Sequence, residues 1–268
     1  MKRILFFFYV LTMITACHKV SDKTPAEDHI AKATTFIDQG DYGSAIELLE
    51  DTMKHEDTYE VRLVLASAYA GKAGIKVENY WDYLVGFDAF AKDKAPEAIP
   101  DVITADMIPE KLDEKSKSQL KNLNDSYKGI QRLDKKIEKV PLIQTSDRPY
   151  LKKARALLEQ TPTASSKLYR SLLTVVMIKS EIQDGKELVA AWSDASFDPC
   201  FAVLPEVSVW LSKVLDLVGE GLDDLGHAYP NDKDQYQAMR KQVDLGNDYS
   251  RQALSYQKSL DNVCAAKQ

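Results

Sequence analysis

The chain has 268 residues, with 35 basic against 41 acidic side chains and a net charge of −6. That balance excludes the dense Lys and Arg clusters by which nucleic-acid-binding proteins displace counterions, and it offers no electrostatic help at an anionic lipid surface. The length allows one large domain or two small ones with a real core.

The first seventeen residues are ordered as an export signal. Met1-Lys2-Arg3 is basic, the run from Ile4 to Thr15 is apolar, and Ala16 supplies a small residue at a cleavage position. The apolar run is too short to span a bilayer, which takes about 20 residues. Ile14-Thr15-Ala16-Cys17 resembles the end of a bacterial lipoprotein signal. The resemblance implies removal of residues 1–16 and acyl chains, palmitate among them, on Cys17. Several chains on one cysteine anchor stably where a single chain does not. His18-Lys19 follows, with no aspartate that retains such proteins at the inner membrane. The periplasmic face of the outer membrane is therefore the expected location. Residues 1–16 hold two of the basic and none of the acidic side chains, so the remainder moves from −6 to −8.

Residues 17–26 are polar and read as a tether, and residues 27–91 as helices. Ile30, Ala33, Phe36 and Ile37 share a face, Gly40 closes that helix, and Asp41 caps the next. Ala45, Ile46, Leu48, Leu49 and Met53 repeat at helical spacing. A third helix from Thr58 carries Val61, Val64, Leu65, Ala68 and Tyr69, and a fourth begins near Asn79. The turn Gln39-Gly40-Asp41-Tyr42-Gly43-Ser44-Ala45 resembles the inter-helix turn of a tetratricopeptide (TPR) repeat, with Gly40, Tyr42 and Ala45 in the turn, aromatic and small-residue positions. Ala66 and Tyr69 resemble the small and aromatic positions of a second repeat. His29 stands where that family has tryptophan, and Asp57 where it has proline. The resemblance covers residues 27–75 and implies a repeat fold with a concave binding surface.

Pro96, Pro100 and Pro109 break the pattern over residues 92–110. A narrow stripe then runs through Leu120, Leu123, Tyr127, Ile130, Leu133, Ile137 and Val140, stopped by Pro141. Four more helices are expected over residues 150–160, 164–192, 205–228 and 232–262. The apolar run from Leu172 to Ile178, bracketed by Arg170 and Lys179, reads as buried helix rather than a membrane span. No stretch alternates like a strand. The expected class is all-α: antiparallel pairs, TPR-like at first, with residues 92–268 continuing as a helical bundle.

Chemistry is sparse. The four histidines are scattered, with none at metal-ligand spacing. Residues 38–43 look like a calcium loop but place Gly40 and Tyr42 where oxygen ligands belong. Asp223, Asp224 and His227 read as a helix end rather than an acid–base cluster. No metal, cofactor or enzymatic activity is expected. With Cys17 lipidated, Cys200 and Cys264 form an even pair that admits either a disulfide or two thiols. Antiparallel packing of the last two helices would bring them together.

The best recognition candidates are Tyr80, Trp81 and Tyr83, in a run of five aromatics that one helical face cannot absorb. Burial between repeats is the alternative. The expected function is that of a lipid-anchored scaffold holding a protein partner at the outer membrane. The alternative is an envelope-transport accessory that binds a small apolar ligand in a pocket of Tyr80, Trp81, Tyr83 and Trp210.

Overall fold

A computed structural model describes residues 24–76, 113–194 and 203–265. The described chain is all-α and built from packed helix pairs: α1 Pro25–Asp38, α2 Tyr42–His55, α3 Tyr59–Lys72, α4 Glu114–Lys136, α5 Arg148–Glu159, α6 Ala164–Asp194, α7 Val203–Ala228 and α8 Lys233–Ala265. A 3₁₀ turn, Pro230–Asp232, joins the last two. No described helix is long and apolar enough to cross a membrane.

Helices α1 and α3 are the same unit written twice, 34 residues apart. Each has 14 residues and a threonine N-cap, Thr24 or Thr58, whose hydroxyl accepts from the amide three residues on. Thr24 and Glu27 complete a capping box. Each helix ends in a glycine in the left-handed region, Gly40 at φ 78° and Gly74 at φ 81°. The closing bonds are also alike. The Gly40 amide donates to Ile37 and that of Asp41 to Phe36; the Gly74 amide donates to Gly71 and that of Ile75 to Ala70. This is the Schellman geometry, which satisfies the carbonyls a helix end leaves open. In the register that the caps fix, Phe36 corresponds to Ala70 and Ala33 to Ser67, so the caps recur while these side chains do not.

Short connections force α1, α2 and α3 to pack antiparallel, with Ala33, Ala45, Leu49, Val61 and Leu65 buried. The third partner comes from far along the chain. Helix α5 packs on α3, α6 on α5, α7 on α6 and α8 on α7, while α4 folds back on α8. The stripe on α4 is helical only to Lys136. Beyond it the chain winds in three-residue turns, the Val140 amide donating to Ile137, and these still bury Ile137, Val140 and Ile143. The expected helix to residue 140 is thus shorter by one turn, because a spacing of three serves a 3₁₀-like turn as well as an α-helix.

A Cβ built at Gly71 would lie 2.2 Å from the Tyr42 ring, so the tyrosine of the first turn rests directly on α3. Gly40 and Gly74 have no neighbour within 4 Å, and only their backbone conformation requires glycine. Denaturant unfolding is expected to show Gly40→Ala and Gly74→Ala costing about 1–2 kcal/mol each, with Gly71→Ala costing more. Ala45→Leu, at a fully buried position, is expected to cost about 1–3 kcal/mol through overpacking.

Candidate functional site

Of the residues singled out in the sequence, Cys17, Tyr80, Trp81, Tyr83 and Cys200 lie outside the described residues. Cys264 lies on α8, and its pairing is likewise outside the described side chains. Trp210 is buried inside the bundle. It is 7% exposed, its indole N–H donates to the Glu181 carbonyl at 2.7 Å, and its ring lies against Gly185 of α6, where a Cβ would meet it at 1.8 Å. Tyr127 of α4 packs on its other side, ring centroids 6.1 Å apart.

The Asp223, Asp224 and His227 group separates on folding. Asp224 is buried and takes two bonds from the Arg170 guanidinium, at 2.5 and 2.8 Å. Asp223 faces Arg240 at 3.4 Å, and the His227 ring bonds the Asp223 carbonyl of its own last turn at 2.7 Å. His29 meets the Thr52 hydroxyl at 2.9 Å. Among the described residues no group of three or more His, Cys, Asp or Glu side chains could hold a metal ion.

The buried charges are organised around α6. Lys179 and Lys186 reach Asp134 of α4 at 3.0 and 2.5 Å. Glu181 takes Lys213 of α7 at 2.5 Å, and Asp184 takes a bidentate Arg148 at 2.5 and 2.9 Å. Arg155 of α5 donates to Thr174 at 3.1 Å and pairs with Glu220 of α7. Burial pulls the Arg155 guanidinium down from its ordinary value, against the pull of Glu220. Burial works to raise the Asp134 carboxyl, but hydrogen bonds from Lys186 and Lys179 outweigh it and hold the pKa below the usual range. The Arg148 hydrogen bond lowers Asp184 in the same way.

A second cluster ties α2, α3 and α5. Tyr69 donates its hydroxyl to Glu50, and Lys153 donates to that hydroxyl at 3.0 Å. Tyr69 stacks on Tyr150 at 6.3 Å, with Lys72 4.9 Å over the Tyr150 ring. Burial raises the Tyr69 phenol, and the Tyr69 hydrogen bond raises the Lys153 ammonium. Neither shift moves its group toward neutrality-range acid–base work, so the cluster clamps three helices.

A groove of about 530 Å³ runs along α1 and α3. Thr34, Asp38, Tyr42, Ser67 and Lys76 line it with Ile37, Val64 and Ile75, and Tyr169 of α6 closes its far side. Tyr42 is signalled by its place in the turn, and Gly71 by being a glycine within a helical pattern. Tyr169 has no such signal, arriving from about a hundred residues away. The mixed lining offers hydroxyls and one charge of each sign above an apolar floor, which suits an extended polar-and-apolar segment better than a compact apolar molecule. No family model, curated protein or solved structure matches the chain.

Removing one partner of a buried pair strands the other. Asp224→Ala is expected to cost about 3–5 kcal/mol, and Arg170→Met with Asp224→Leu to recover much of it; urea unfolding of the three proteins checks both. Because Asp134 and Asp184 titrate lower folded than unfolded, their contribution is full above about pH 4 and is lost as pH falls through the folded values. Stability measured from pH 6 to 2 is expected to decline less steeply in Asp134→Asn than in the natural chain.

Proposed function

We propose that this chain is a lipid-anchored interaction protein that holds a protein partner at the periplasmic face of the outer membrane. The observation that carries the interaction reading is the recurrence, after 34 residues, of a helix of equal length with a threonine cap and a glycine close. That is the period of the tetratricopeptide repeat, the family that the Gly40-Asp41-Tyr42 turn resembles. Stacked repeats bury a continuous core and leave an inner surface open to a partner. The groove beside Tyr42, Ser67 and Lys76 is lined by residues of both α1 and α3. Anchoring rests on the leader and Cys17. The acidic surface is consistent with attachment through acyl chains rather than through charge.

The test has two arms in intact cells. Cys17→Ser is expected to move the protein from the membrane to the soluble envelope fraction; unchanged fractionation refutes the anchor. A photo-crosslinking residue at Ser67 is expected to give one discrete adduct. That adduct should disappear when Tyr42→Ala and Lys76→Glu alter the groove, and should not form from a probe at exposed Leu245 of α8. Equal adducts from both positions refute the groove as the binding surface.

A further inference from the structure

The helices of the bundle enclose a second, different space. Leu133 and Ile137 of α4, Val175 and Ile178 of α6, and Leu222 and Leu225 of α7 surround a cavity of about 90 Å³, with Gln235 and Tyr236 of α8 also in its lining. Its polar atoms on α6 are already used. The Ser171 hydroxyl donates to the Leu168 carbonyl at 2.7 Å, and the Thr174 hydroxyl donates to Arg170 at 2.8 Å while accepting from Arg155 at 3.1 Å. A water there would find few partners, and apolar cavities of this kind stay dry and take apolar guests.

One residue keeps the space open. Gly221 lies within α7, where glycine is the poorest helix former after proline. Gly219 has a packing reason, since Arg240 lies against it; a Cβ at Gly221 would meet only the Thr174 methyl at 3.6 Å, an ordinary contact. Sterics would admit a side chain at 221, and any side chain would project toward the cavity. The volume is below the roughly 150 Å³ that holds a benzene ring, and the walls described above are branched aliphatic side chains.

We propose that this cavity binds the end of an unbranched alkyl chain. The site is separate from the groove, and the proposal does not depend on the scaffold reading. The chain is held by contact alone, so each methylene that enters adds a similar increment, about fourfold in affinity. The increments stop when the cavity is full.

The experiment titrates the full protein with n-alcohols from methanol to decanol and follows methyl resonances by NMR. Saturable shifts are expected at Leu133, Val175, Ile178 and Leu222, with affinity rising about fourfold per methylene at first and then levelling. Absence of saturable shifts overturns the proposal. So does affinity that climbs without levelling through decanol, the behaviour of adsorption to an open surface. Gly221→Leu is expected to weaken binding at least tenfold with the helical circular-dichroism spectrum retained; binding equal to that of the natural chain overturns the assignment. Should Gly221→Leu fail to fold, Gly221→Ala, which adds a single methyl, is expected to lower the affinity and shorten the chain length at which it levels.

Discussion

Helix α6 takes Arg170, Lys179 and Glu181 into the interior, and the arrangement of its neighbours follows from neutralising them. An isolated charge in that position would cost several kcal/mol. Arg170 therefore requires Asp224 of α7, Lys179 requires Asp134 of α4, and Glu181 requires Lys213 of α7. Around these charges α6 is buried over most of its surface, with Leu172, Leu173, Val176 and Ile182 packed inside and the Ser171, Thr174 and Ser180 hydroxyls bonded to its own carbonyls. A helix with so little solvent face must be surrounded. Apolar contact supplies the driving force, and the ion pairs restrict which rotation and which partner are allowed. A rotated α6 would set its charges against Leu211 or Val214 instead of their counter-ions.

The amino-terminal part is held differently. Small residues let α1, α2 and α3 approach closely, and the glycine-closed turns set where each helix ends. Helix α3 would still expose a face without α5, which reaches it after a long excursion of the chain. The seam between them is aromatic and cationic: Tyr69 against Tyr150, with Lys72 and Lys153 over the rings. Arg62, paired with Asp57, also donates to the Gln160 carbonyl at the end of α5 at 3.2 Å. These contacts couple the repeated helices to the bundle, so a partner seated in the groove would meet a surface backed by α6 through Tyr169.

The groove and the cavity differ in the way their walls are made. The groove lies among hydroxyls and charges near helix ends, where water has access. The cavity is lined mostly by hydrocarbon, and its hydroxyls on α6 are already bonded, so there side-chain shape is what varies. One is suited to a chain that carries its own hydrogen-bonding groups, the other to hydrocarbon.

The sequence by itself determined the class and nearly all the described helix limits. Caps and breakers are local: Gly40, Asp41 and Thr58 act within a turn of where they stand, although Thr24 and Pro25 open α1 inside the stretch read as tether. The periodicity through Val207, Leu211, Val214, Val218, Leu222 and Leu225 is likewise a property of one helix, and these residues do face the interior. Tertiary structure alone decided which helices meet. The pairing of Arg170 with Asp224, the fate of Trp210 as a wall against Gly185, and the placing of Tyr169 across from Tyr42 join residues tens to more than a hundred positions apart. No local rule links such residues, because a charge or a ring has the same propensity whatever it will touch. The split of Asp223, Asp224 and His227 has the same origin. Neighbours on a helix are 100° apart around its axis, and only the surrounding helices decide which of them is buried.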